Sequence, residues 1–205
     1  MALRVPPAGP SGGDGGLKAS ADRIERRSLQ LARIGGKARP RGQASELPGR
    51  AGQGVTRLGL TREEQRAHEL VGGWLERRGA KVRTDAAANV FARIGGSGPA
   101  VLVGSHLDSV PNGGRFDGAL GVLAALEVLR TVKDAGLTLP VHLEAIDFTD
   151  EEGTLVGLLG SRAITGGLSE EALKSPRGGR AALAAGLARA GLAEAGLLAA
   201  RRDLQ

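Results

Sequence analysis

AVLVGSHLDSVPNGGRFDGALGVLAALEVLR, residues 100–130, is the stretch on which the fold turns. It begins as an apolar strand, AVLVGSH, and ends as a helix from about 118 to 133 that is apolar on most faces and therefore buried on more than one side. A second apolar strand, LPVHLEAIDFT (139–149), follows the helix and runs into Asp150, Glu151, Glu152 and Gly153. Strand, helix, strand in this order is a parallel crossover unit, so the chain is predicted to be α/β, with a mixed, largely parallel sheet flanked by helices. In such sheets ligands collect at the carboxyl ends of the strands. His106 stands at one such end and the Asp150–Glu152 run at the next, so the fold is expected to join groups that lie far apart in sequence.

Working outward, KVRTD (81–85) and NVFARI (89–94) read as short strands, and GGSGP (95–99) as a turn. TREEQRAHELVGGWLERRG, from Thr61 to Gly79, is an amphipathic helix with an apolar stripe of Ala67, Leu70, Val71, Trp74 and Leu75. Thr61 and Glu64 have the spacing of a capping box at its start. ADRIERRSLQLARIG (21–35) places Ile24, Leu31 and Ile34 at near-helical spacing, and the tail is expected to be helical from about 180, weakened at Gly186 and Gly191. The apolar face of that tail is expected to lack part of its partner, leaving exposed hydrophobic surface. Residues 1–20 are Pro/Gly-rich and expected to be disordered, which leaves 21–205 as the folded portion.

Composition narrows the chemistry. The chain has no Cys, so any metal must be held by His and carboxylates, and a reducing cytoplasmic location is compatible with that. The net charge of +6 falls entirely within residues 1–50, where ten Lys/Arg face four Asp/Glu; the remainder is neutral. With one Trp, three Phe and no Tyr to stack on bases, the basic leader reads as a solvated tail, and no nucleic-acid partner is expected. No apolar run is long enough to span a bilayer, and MALRVPPAGPSGGDGGLKAS lacks the apolar middle of a secretory signal.

The residue types at the two strand ends suggest a metal site. His106 offers an imidazole nitrogen, Asp117 a carboxylate at the expected N-cap of the long helix, and Glu152 a third ligand from the neighbouring strand. Such a set suits zinc, manganese or cobalt. Asp108, two residues beyond His106 and on the same face of an extended chain, is placed to take the second ring proton of the imidazole. Glu151 is free to point elsewhere, as a general base beside an activated water must. Each residue also has a plainer reading: Asp117 as a simple N-cap, His106 as a satisfied core histidine, the acidic run as a solvated turn. Of the other histidines, His68 is expected to be a partly exposed surface residue. His142, at the start of its strand, lies about 26 Å from the acidic run, and neither completes the site.

GSHLDSVPNGGRFDGALGVLAALEVLR, with DFTDEEGT and LLGSRA downstream and VTRLGLTREEQRA and ANVFARIGG upstream, resembles the zinc-dependent amidases of the hydantoinase/carbamoylase type, from about residue 20 to the end. That family includes N-carbamoyl-L-amino acid hydrolases, allantoate amidohydrolases and ureidopropionases. The resemblance implies that His106 and Glu152 each hold one of two divalent ions, that Asp117 bridges both, that Asp108 orients the imidazole and that Glu151 is the general base. It implies hydrolysis of a linear amide or N-carbamoyl bond in a small molecule, and a homodimer built through a lid domain. The chain resembles only the N-terminal half of such enzymes, so the lid and the further metal-binding histidines are expected to be missing and the isolated chain to be inactive. Two other readings stay open: a metallo-exopeptidase or aminoacylase of the same clan, and a non-enzymatic fragment or partner-dependent module.

Overall fold

A computed structural model describes residues 17–36, 54–95 and 98–202. Most of the leader expected to be disordered, and part of the turn at 95–99, lie outside the described residues. The elements in chain order are α1 (Ala21–Leu31), α2 (Arg62–Glu76), β1 (Lys81–Thr84), β2 (Val90–Ile94), β3 (Ala100–His106), α3 (Ala119–Asp134), β4 (His142–Phe148), α4 (Leu159–Thr165), α5 (Glu170–Lys174), α6 (Arg180–Arg189) and a 3₁₀ helix, Glu194–Ala200. No single described helix is long and apolar enough to cross a membrane.

The strands form one sheet in the order β1-β2-β4-β3. β4 has a neighbour on each side and is buried from His142 to Asp147, with the charged Glu144 and Asp147 inside it. The crossover β3–α3–β4 is present, and β3 pairs parallel to β4 with His106 opposite Phe148. The sheet is mixed as expected, but the other two pairings, β1–β2 and β2–β4, are antiparallel, so it is not largely parallel within this chain. For β1–β2 the reason is local: the two strands are joined by a tight turn at Asp85–Asn89, which returns the chain antiparallel.

Of three apolar cores, one covers a face of the sheet, a small one of Phe91, Ile146 and Ile164 lies on the other, and one gathers the loops and tail beside it. On one face α3 lays down Val122, Leu123, Leu126 and Leu129 against Ala145 and Leu143 of β4, and α2 adds Ala67, Val71 and Leu75 at the predicted spacing. Each buried Val or Leu side chain of this set contributes roughly 1.5–3 kcal/mol. Gly121 lets α3 approach β3, since a Cβ there would stand 2.6 Å from that of Ser105. A second core gathers Leu60, Val156, Leu159, Leu183, Leu187 and Leu197. The tail is thus packed rather than left with an open face, because α6 and the 3₁₀ helix fold back onto α4 and the segment before α2.

The capping box does not form. Thr61 is the N-cap of α2, but its hydroxyl donates to the Leu58 carbonyl, while the Glu64 carboxylate accepts from Leu60 N–H. Glu64 is buried, and one turn further on His68 is turned inward with it. His68 is partly exposed, as expected, but its Nε2 lies 3.1 Å from Asp147 Oδ2 of β4 and 3.9 Å from Glu64 Oε1, an inward pairing its sequence surroundings do not suggest. Burial pulls the His68 pKa down, but the two facing carboxylates outweigh it and hold the ring near 9; burial pushes Glu64 up to about 8.

Candidate metal centre

The parallel pairing of β3 with β4 determines which side chains meet. Because His106 is in register with Phe148, the chain leaving β4 passes the His106 ring within four residues. Asp150 makes the turn with a left-handed φ of 52°, and its buried carboxylate accepts from the N–H groups of Thr154, Leu155 and Val156. Asp150 therefore shapes the loop rather than facing the site, which leaves Glu151 and Glu152 to do so. Burial raises its pKa to about 6 against the pull of those donors.

Asp117 arrives from the other direction. The N-cap of α3 is Gly118, one residue later than expected, so Asp117 precedes the helix and does not cap it. Gly118 has a φ of 61°, and a Cβ there would lie 2.4 Å from His106 Cε1, so only glycine admits the ring at this position. His106, Asp117 and Glu152 each place one ligand atom within 4.8 Å of the others. Asp117 is exposed and the other two are partly buried, so the group opens to solvent on the Asp117 side.

Asp108 is fully buried. His106 Nδ1 lies 3.1 Å from its backbone oxygen and 3.3 Å from Oδ1, which occupies that ring nitrogen and leaves Nε2 for a ligand. The same carboxylate accepts from the N–H groups of Glu151, at 3.2 Å, and Glu152, at 3.0 Å. Burial lowers the His106 pKa, but the hydrogen bond and charge of Asp108 outweigh it and bring it to about 9. Glu151 is held by the Ser161 hydroxyl, which donates to Oε2 at 2.8 Å, and burial raises its pKa.

Arg57 was not singled out from the sequence. Its side chain is among the largest wholly buried ones, and its guanidinium donates to the carbonyls of Leu107, Leu31 and Ile34. Its backbone is tied to Ser109 in both directions, so Arg57 grips the chain on either side of Asp108. A lone cation inside the apolar-flanked VTRLGL was the signal that could have found it.

The chain matches Peptidase family M28 over residues 89–177. It is 47% identical over 144 residues to an N-carbamoyl-L-amino acid amidohydrolase of Geobacillus stearothermophilus, covering 68% of this chain and 35% of that protein. It is 39% identical over 129 residues to an allantoate amidohydrolase of Bacillus subtilis, covering 60% and 31%. Among solved structures it resembles an amidase of the hydantoinase/carbamoylase family from Burkholderia vietnamiensis, with a TM-score of 0.71 and 34% identity over 87% of this chain and 41% of the other. In fold and sequence the chain is similar to Peptidase family M28 and to the amidohydrolases. More narrowly, the chain is a partial-length relative of the hydantoinase/carbamoylase amidases and spans about a third of the length of the curated relatives it matches.

Proposed function

We propose that this chain carries part of the catalytic centre of a metal-dependent amidohydrolase that cleaves a linear N-carbamoyl or ureido bond in a small molecule. The observation that supports it most directly is the convergence of His106, Asp117 and Glu152 within 4.8 Å, with His106 Nδ1 already engaged by Asp108. The donor set fits a divalent ion: one imidazole and two carboxylates without thiolate suit zinc, manganese or cobalt. In this reading His106 through Nε2, Glu152 and the exposed Asp117 would hold the ions, with Asp117 as the ligand shared between them. Ions held there would supply Lewis-acid polarisation of a scissile carbonyl and lower the pKa of a water. Glu151, oriented by Ser161, would act as the general base that takes a proton from the attacking water and returns it to the leaving nitrogen. Asp108 keeps the His106 ring in the tautomer that presents Nε2.

The activity belongs to a protein of the relatives' full length, in which further ligands complete the coordination and a homodimer forms; a cytoplasmic setting goes with it. The M28 match favours a second reading, release of amino acids from peptides or N-acyl amino acids. Calorimetric titration of this chain with zinc, manganese and cobalt is expected to show no more than one weak site, abolished in His106→Ala. Two tight sites in this chain, or undiminished binding in the variant, would remove the assigned ligand set. A full-length protein loaded with the same ions is expected to hydrolyse N-carbamoyl amino acids or ureido acids. Cleavage of peptides alone would select the second reading, and cleavage of neither would end both.

A further inference from the structure

Among the described residues β3 is paired on one side only, so its other side presents free backbone N–H and C=O groups as an open sheet edge. Folded proteins blunt such edges with charge, proline or a bulge. The opposite edge, β1, is blunted in this way, since KVRT carries Lys81 and Arg83. β3, AVLVGSH, carries no charged residue before His106 at its very end.

The surface beside this edge is apolar as well. Val101 and Val103 are in register with Leu143 and Ala145, and so lie on the face that α3 covers, yet they are 50% and 37% exposed. α3 leaves one flank free above them. Its Leu126, Leu129 and Arg130 line a cleft with Trp74 of α2 and Arg27 of α1, whereas Gly121 rests on Ser105 of β3. At about 100° per residue, Ala124 and Val128 lie beside Gly121 on the flank nearest the β3 edge, next to Leu120. Leu120 and Val128 are 45% and 42% exposed. Such a surface is covered only by a partner that brings a strand and an apolar helix flank together.

We propose that the β3 edge binds a second copy of this chain, β3 pairing antiparallel with its counterpart about a two-fold axis at Leu102, so that the two sheets become one. In this register Val101 lies opposite the partner's Val103, and Leu102 opposite the partner's Leu102, with no charge set against a like charge. The helices fit the same axis. α3 runs back antiparallel to β3, as the crossover requires. From Ser105 to Leu102 is three residues of strand, about 10 Å, and from Gly121 to Val128 seven residues of helix, also about 10 Å, so Val128 comes to lie close to the axis. α3 packs over both β3 and β4, and with strands about 4.8 Å apart the two copies of α3 run about 10 Å from each other, a distance at which helices pack. The pairing uses the sheet itself, is distinct from the lid-built homodimer that the resemblance implies, and does not depend on the function proposed for the metal centre.

Sedimentation velocity of the unaltered, chelator-treated chain is expected to show a monomer–dimer equilibrium that moves toward dimer as concentration rises. Val128→Lys, at an exposed helix position, sets two ammonium groups close to the axis and is expected to weaken dimerisation by at least about tenfold with unchanged circular dichroism. Thr84→Lys, exposed on the β1 edge, is expected to leave dimerisation as it is. The chain has no Cys, so single cysteines report the register. Leu102→Cys is expected to give a disulfide-linked dimer on oxidation with diamide, whereas Ala100→Cys, whose two copies stand about 13 Å apart in this register, is not. A monomer at every concentration, undiminished dimerisation in Val128→Lys, loss of the dimer in Thr84→Lys, or linkage through Ala100→Cys in place of Leu102→Cys would each overturn the assignment. Open-ended growth beyond the dimer would do so too, since it needs the β1 edge. Sedimentation of the unaltered chain and the cysteine pair do not use the helix variant, so the outcome stands even if Val128→Lys fails to fold.

Discussion

The Asp108 carboxylate lies 3.3 Å from His106 Nδ1 and also accepts the N–H groups of Glu151 and Glu152. One buried side chain therefore fixes an imidazole on β3 and the loop after β4 at the same time. Asp108→Asn keeps the size but removes the charge that holds His106 protonated near pH 9. The His106 pKa is expected to fall toward the ordinary histidine value, which proton NMR titration reads directly. In the chain, affinity for a divalent ion is expected to fall about 10–100-fold, as is usual when the partner of a metal-bound histidine is lost. Asp108, His106 and the acidic pair were legible in the sequence because period-two spacing and strand ends mark them locally. Arg57 was not, because what makes it important is the set of carbonyls from residues 31, 34 and 107 that converge on it, and no local pattern encodes them.

At the scale of elements, the entry into α3 is the sensitive joint. Gly118 has a positive φ and stands where any Cβ would meet the His106 ring, so Gly118→Ala is penalised twice, by backbone strain and by collision. The variant is expected to be destabilised by about 1–3 kcal/mol in urea unfolding and to bind a divalent ion more weakly than the unaltered chain. An unchanged unfolding midpoint would mean that the helix start relaxes away from β3. The helices and strands themselves sit close to where periodicity places them, since α2 carries its Ala67, Val71 and Leu75 face inward as read. The start of α2 departs from expectation because Glu64 meets a nearer donor, Leu60 N–H, in a chain that bends inward before the helix begins.

For the molecule as a whole, the raised titrating groups all act in one direction. His68 and His106 are held near 9, Glu64 near 8 and Asp150 near 6, each above its ordinary value, so the folded chain binds more protons than the unfolded one. The stability they contribute is present below the unfolded values and is lost as pH rises through the folded ones. The chain is therefore expected to unfold at lower urea near pH 9 than near pH 6, and His68→Gln with Glu64→Gln is expected to flatten that dependence. Equal midpoints at both pH values in the unaltered chain would contradict the inward placement of His68 beside Asp147.

By itself the sequence determined the elements, the crossover that joins β3 to β4, and the candidate ligands at their ends, because hydrophobic period, glycine positions and residue chemistry are properties of short segments. Only the tertiary structure decided the antiparallel share of the sheet, the pairing of His68 with Asp147, the grip of Arg57 on the Asp108 loop and the docking of the 3₁₀ helix on α4. Each of these depends on which distant segment comes to lie alongside, a choice made by the summed burial of many side chains and not by any stretch of chain alone.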